Sequence, residues 1–181
     1  MTSLRTPRLI LRTWREDDLA AAAQVFAEPQ VWWYPHKRGL RLDETEAFLQ
    51  RRLTEWDQQG WGHWALELAG RLIGYTGFAL PTFLPEVMPV PEIGWRLHPS
   101  CWGQGLATEA ARAALDHGFS ALGFSEVVSI YQPENEASGR VMQRIGMTFD
   151  RDTRLPDSDV TLRVYRIKAP PGQGRQPSWL L

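Results

Sequence analysis

Cys101-Trp102-Gly103-Gln104-Gly105-Leu106-Ala107-Thr108-Glu109-Ala110 places two glycines, one residue apart, at the mouth of an alanine-rich amphipathic segment. A helix start presents N–H groups without intrahelical partners and about half a unit of positive charge, and glycine lets ligand oxygens approach the backbone without meeting a Cβ. The stretch reads as an anion cradle or, taken by itself, as a helix that follows an ordinary turn. Context decides between the two.

At 181 residues the chain has room for one domain with a real core, and 43% apolar with 23% charged residues is the composition of an ordinary soluble protein. A net charge of -1 supplies no electrostatic footprint for nucleic acid. The single cysteine, Cys101, excludes an intramolecular disulfide, and the opening Met1-Thr2-Ser3-Leu4-Arg5 leads into no apolar signal segment, so the expected compartment is the cytoplasm. Charged residues interrupt every hydrophobic stretch well short of the roughly 20 residues of a membrane span, so no membrane partner is expected. His36, His63, His98 and His117 show no metal-ligand spacing, and Ser100 and Ser138 lie in no nucleophile elbow. The histidines read as structural, no metal is expected, and Cys101 reads as a small buried hydrophobe.

Alternation around Leu9, Leu11 and Thr13 predicts a strand from Arg8 to Arg15, followed by a helix over Leu19–Ala27 behind the acidic residues Glu16, Asp17 and Asp18. A second helix is expected to Gln59, with Asp43 as N-cap and Glu46 three residues on. Two strands flanking Gly70 predict a hairpin, and the four prolines between Pro81 and Pro91 predict an exposed loop before a strand over Glu92–Leu97. A long helix over Gly103–Leu122, a central strand over Val127–Tyr131, a short helix capped by Asn135 and closed by Gly146, and a final hairpin complete the domain, 1–168. Residues 169–181 read as a tail.

This order, together with Thr6-Pro7-Arg8-Leu9-Ile10-Leu11-Arg12, Glu92-Ile93-Gly94-Trp95, the Trp102–Ala110 run and Asn135-x-x-Ser138 ending in Gly146-Met147, resembles the GCN5-related N-acetyltransferase (GNAT) superfamily. Within it, the chain is similar to the ribosomal-protein N-terminal (RimJ/RimL-like) branch. A dinucleotide fingerprint does not fit, because Thr108 stands where the third glycine belongs and Glu126 begins its strand instead of ending it. The resemblance implies an α+β fold: a mixed, mostly antiparallel sheet of about seven strands, flanked by about four helices and splayed between the fourth and fifth strands.

It also implies acetyl-CoA as cosubstrate and an amine as acceptor: a protein N-terminus, a polyamine or an amine-bearing antibiotic. The diphosphate would lie on Gly103, Gln104, Gly105, Leu106, Ala107 and Thr108, and the pantetheine arm would pair with backbone groups of Arg96, Leu97 and His98, with Asn135 and Ser138 near its end. Trp102 replaces the Gln or Arg usual at the first position of the turn. Holding a lysine amine neutral at pH 7 requires about 4.6 kcal/mol, against about 1 kcal/mol for an α-amine, so a base is essential for lysine and less so for an N-terminus. Glu92 is the candidate, its plain alternative a solvated carboxylate at a strand edge. A tyrosine that many members place seven residues after the capping asparagine is here Met142, which leaves Ser138 as proton donor to the departing thiolate. Trp32, Trp33 and Tyr34, with Glu92, are expected to border the acceptor. A longer acyl donor, a non-catalytic acyl-CoA sensor and a homodimer are open at this stage.

Overall fold

In the computed structural model, which describes residues 3–173, strand β2 (Leu9–Arg12) buries Leu9 and Leu11 and pairs with a two-residue strand, β1 (Leu4–Arg5). The strand expected to reach Arg15 stops at Arg12 because that side chain turns inward. Its guanidinium binds both oxygens of Asp18 at 2.7 Å and Glu67 at 2.7 Å. Asp18 also accepts the Arg15 N–H at 2.8 Å, so the acidic triplet supplies an ion pair and a cap together.

Helix α1 (Leu19–Phe26) is followed by one turn of helix, α2 (Trp33–His36), kinked at Tyr34, and by α3 (Leu42–Gln59). The α3 N-cap is Arg41 and not Asp43: the Glu44 carboxylate accepts the Arg41 N–H at 2.9 Å, the back-bonding half of a capping box. Strands β3 (His63–Leu68) and β4 (Arg71–Ala79) form the expected hairpin through Ala69 and Gly70, both at the positive φ that such a turn demands. Next come β5 (Glu92–Leu97), α4 (Leu106–Ser120), β6 (Glu126–Tyr131), α5 (Glu136–Arg144), β7 (Thr148–Arg154) and β8 (Thr161–Lys168). Helix α4 starts at Leu106, three residues beyond the expected Gly103, which leaves both cradle glycines in the turn.

The eight strands join one sheet in the order β1-β2-β3-β4-β5-β6-β8-β7. The β5–β6 pair is parallel, while β1–β2, β2–β3, β3–β4, β6–β8 and β7–β8 are antiparallel. This is the mixed, mostly antiparallel α+β sheet expected, with β1 as the strand beyond seven.

The described chain divides into two compact units, residues up to 77 with 95–113, and residues 78–94 with those from 114 onward. The first is built on an aromatic cluster of Trp14, Phe26, Trp32, Phe48 and Tyr75. Phe26 and Phe48 meet edge to face with centroids 5.0 Å apart, as do Trp14 and Phe48 at 5.6 Å. Such pairs add about 0.5–1.5 kcal/mol each beyond buried area.

The second unit packs Leu84 and Val87 on Val128, Leu162 and Val164. The Pro81–Pro91 segment is therefore no free exposed loop: its prolines prevent a strand, and two buried apolar side chains anchor it. At the chain's end the Ala169 N–H donates to the Ser125 carbonyl at 2.8 Å, and residues 174–181 of the expected tail lie outside the described residues. No helix among the described residues is long and apolar enough to cross a membrane.

Candidate functional site

In the first unit, Gly103 and Gly105 both take left-handed φ values, +73° and +76°. A Cβ on Gly103 would meet nothing within 4 Å, and one on Gly105 would meet only the Arg8 Nη2 at 3.7 Å. The glycines are thus required by backbone conformation, and the space above them is open. Helix α4 closes its ladder with the Glu109 N–H on the Gly105 carbonyl at 3.0 Å, which leaves the amides of Leu106, Ala107 and Thr108 ahead of that bond. The Thr108 hydroxyl is buried and has no partner among the described residues. Open space, leading amides and an orphaned hydroxyl at one helix start fit the oxygens of a phosphate.

Two sequence motifs about a hundred residues apart lock this turn. The Glu109 carboxylate accepts from the Thr6 hydroxyl at 2.6 Å, the Arg8 N–H at 3.0 Å and the Arg8 Nε at 2.7 Å, while Arg8 Nη1 donates to the Gln104 carbonyl at 2.9 Å. Burial opposes ionisation of Glu109, but the Thr6 hydroxyl and the Arg8 guanidinium outweigh it and hold the carboxyl below its ordinary value. The acidic residue in the first turn is therefore a clamp on β1–β2, in addition to any effect on the helix dipole.

Just past β5, the His98 N–H donates to the Ile73 carbonyl at 2.8 Å, so it points toward β4 and is not available to a ligand. Groups of successive residues on a strand face opposite edges, which turns Leu97 the other way. The Leu97 carbonyl accepts the Trp102 indole N–H at 2.8 Å. Trp102, the departure from the superfamily pattern, thus ties the glycine turn to β5. His98 Nδ1 faces the Ser100 hydroxyl at 2.8 Å and accepts the Ser100 N–H at 3.2 Å, a structural cap of the turn Pro99–Cys101, in which Cys101 is buried.

The three adjacent rings separate in space. Trp32 is buried in the aromatic cluster, Trp33 is exposed and Tyr34 is half-buried. The Arg96 side chain holds them: Nη1 donates to the Val31 carbonyl and Nη2 to the Tyr34 carbonyl, both at 2.6 Å, Nε donates to the Tyr75 hydroxyl at 3.1 Å, and the guanidinium lies 4.2 Å from the Trp32 ring centroid.

His63 lies buried with its ring against Tyr75, centroids 4.9 Å apart, and its Nδ1 in contact with Arg52 Nη1. Arg52 can only donate, so Nδ1 is the acceptor and the ring is neutral. Burial, then the charges of Arg52 and Arg96, hold its pKa well below the usual histidine range. The unfolded ring titrates near about 6.5, so below that pH the unfolded chain takes a proton the folded one refuses, and stability falls by up to about 1.4 kcal/mol per pH unit. Urea denaturation between pH 6.5 and 5 is expected to show this loss, with a visibly shallower slope for His63→Gln. Half-buried His117, whose pKa burial also lowers, contributes with the same sign.

In the second unit, β5 and β6 pair with Glu92 opposite Val128, and the Val128 N–H donates to the Pro91 carbonyl at 2.9 Å. One residue on, the Ile93 carbonyl accepts from the Ser129 hydroxyl at 2.8 Å, a side chain taking the place of a main-chain partner. Glu92 itself is half-buried. Asn135 caps α5 as expected, its Oδ1 accepting the Ser138 N–H at 3.3 Å. Ser138 is half-buried, whereas Met142 is fully buried. On β6 the Tyr131 hydroxyl sits 2.7 Å from where a Cβ on Gly139 would lie, so glycine there makes room for it.

A family model described as an Acetyltransferase (GNAT) domain matches residues 8–148. The chain is 34% identical to YkkB of Bacillus subtilis (strain 168) over 93% of its own length and 96% of that protein's. A crystal structure of an acetyltransferase from Agrobacterium tumefaciens str. C58 is 32% identical, with a TM-score of 0.76 over 92% of this chain and 94% of that one. The fold, at 18% identity and a TM-score of 0.75, is also that of RimL, a ribosomal L7/L12 alpha-N-protein acetyltransferase solved in complex with coenzyme A, covering 93% of this chain and 98% of that one. The interlocked Thr6, Arg8 and Glu109, the left-handed glycine turn and the mixed sheet are how this sequence builds the GNAT acetyltransferase domain, the family to which the chain belongs.

Proposed function

We propose that the protein transfers the acetyl group of acetyl-CoA to a primary amine by direct attack, in the cytoplasm and without a covalent enzyme intermediate. The observation that carries the reading is the glycine turn before α4, open above both glycines and followed by the orphaned Thr108 hydroxyl. Gly103, Gln104, Gly105, Leu106, Ala107 and Thr108 hold the diphosphate, mainly through backbone donors. Leu97 offers its N–H to the pantetheine arm or thioester carbonyl, the kind of oxyanion contact that contributes a few kcal/mol in acyl transfer, roughly 3. Arg96 and His98 contribute by placing that strand.

Glu92 accepts the proton released as the amine nitrogen attacks the thioester carbon, directly or through a water. As the carbon–sulfur bond breaks, Ser138 passes a proton to the leaving thiolate while regaining one from solvent, and Asn135 keeps Ser138 at the head of α5. Trp33 and Tyr34 border the acceptor, with Trp32 supporting them from below. The RimJ/RimL-like branch is the reading the motifs favour within the family, and it makes a protein N-terminus one candidate acceptor. The buried Met142 favours a second reading, an acyl-CoA sensor without turnover.

Release of free CoA thiol decides between them. Acetyl-CoA incubated with a mixed library of amines and peptides is expected to liberate thiol and to do so far more slowly with Glu92→Gln. A thermal shift with acetyl-CoA and no thiol from any amine would establish the sensor instead. Ser138→Ala is expected to slow turnover by about a hundredfold or less, since a thiol with a pKa near 8.5 leaves fairly well unaided. An unchanged rate removes Ser138 from the mechanism.

A further inference from the structure

We infer that the acceptor carries an anionic group beside its amine, bound by Arg96 and Lys37, and that polyamines and other polycationic amines are rejected. The inference rests on the acetyl-transfer reading for the identity of the amine, and on the charges of Arg96 and Lys37 for everything else.

Arg96 is a half-buried cation whose recorded partners are all neutral: the carbonyls of Val31 and Tyr34, the Tyr75 hydroxyl and the Trp32 ring. No carboxylate pairs with it among the described residues. Charged groups withdrawn from water are ordinarily matched by an opposite charge. A guanidinium has five N–H donors, and the three recorded bonds leave one on each terminal nitrogen. Donors so placed suit a carboxylate or phosphate oxygen.

Two independent features point the same way. The indole N–H of Trp32, the ring beneath Arg96, is buried and has no partner among the described residues. The Lys37 ammonium lies 4.1 Å from the Tyr34 ring centroid and 5.3 Å from that of Trp33, again without a carboxylate among the described residues. Arg38, by contrast, is neutralised by Glu44 at 2.6 Å, so the segment can recruit a carboxylate where one is meant to sit. Two unmatched cations and an orphaned donor around Trp33 and Tyr34 attract an anion and repel a second ammonium.

The test compares alanyl-glutamate amide with alanyl-glutamine amide, which differ by one charge at nearly equal size, and with spermidine. Thiol release from acetyl-CoA gives kcat/KM for each, and quenching of tryptophan fluorescence reports acceptor binding without turnover. The expected result is a preference of at least about tenfold for the glutamate peptide in both readouts, with spermidine last; attraction of this size is ordinary for a desolvated charge pair. Arg96→Met should bring the ratio of the two peptides close to one, and Arg96→Lys should keep most of it. Lys37→Met, on the surface, should lower the ratio severalfold with folding intact. Equal binding of both peptides, or preferred use of spermidine, overturns the inference whatever the rate of thiol release. Selective, Arg96-dependent binding of the glutamate peptide with no thiol released from any amine sustains it and overturns acetyl transfer instead.

Discussion

Gly74→Ala is expected to leave the chain unable to fold. A Cβ at this position on β4 would lie 2.0 Å from the Arg96 carbonyl oxygen and 2.8 Å from the Leu97 Cα, and the residue sits at a φ of +145° that side chains rarely adopt. Neither neighbour is the end of a flexible side chain. Relief would require β5 to move away from β4 right beside the His98–Ile73 hydrogen bond that holds the two together. A clash of this kind belongs with the substitutions that cost more than about 4–5 kcal/mol, a large part of the roughly 5–15 kcal/mol that holds a domain together. Soluble yield and thermal melting followed by circular dichroism measure it. Gly70→Ala is the control: φ is +76° but nothing lies within 4 Å of the added Cβ, so only the strain of about 1–2 kcal/mol applies. A Gly74→Ala protein melting within a few degrees of the parent would mean that β5 is free to retreat, and that the strand proposed to meet the thioester is not rigidly set.

What could be read from the sequence was local. The β3–β4 hairpin was legible because Gly70 demands a left-handed turn between two apolar runs, and the cradle because Gly103 and Gly105 stand directly before an amphipathic repeat. β1 escaped because two residues carry no period. The α3 cap was misplaced because Arg41 has no capping oxygen and the signal resides in Glu44, which bonds back to it. The Pro81–Pro91 segment looked exposed because Leu84 and Val87 follow no repeat, and burial of such residues is decided by the sheet they land on. Around the glycine turn of the candidate site the backbone conformation was legible, and the side-chain pairs that fix it were not. Arg8 with Glu109, and Arg96 with Val31 and Tyr34, join distant parts of the chain, and no spacing announces them. The run Trp32-Trp33-Tyr34 advertised aromatic character without saying which ring faces inward; a buried cluster containing Phe26 and Phe48 claims the first.

Gly105→Asp is expected to weaken acetyl-CoA binding by about a hundredfold or more, while Gly105→Asn weakens it by roughly tenfold. The pair isolates charge from shape: Asn and Asp are similar in size and both tolerate the left-handed conformation better than other side chains, so the folding penalty at φ +76° is small and shared. Within 4 Å of the added Cβ lies only the end of the flexible Arg8 side chain, at 3.7 Å, and either side chain meets it alike. What differs is a negative charge at the place proposed for the diphosphate. Two like charges about 5 Å apart at an effective dielectric near 20 repel by roughly 3 kcal/mol, the neighbouring Arg8 guanidinium offsets about half of that, and at 1.4 kcal/mol per factor of ten the charge adds about tenfold to the loss shared with Asn. Calorimetric titration with acetyl-CoA reads both variants, and thermal melting without ligand confirms that they remain folded. Because the Asp-specific loss is electrostatic, it should shrink as salt is raised, whereas the loss shared with Asn should not. Wild-type affinity in the Asp variant would place the diphosphate elsewhere and remove the observation on which the proposed chemistry depends.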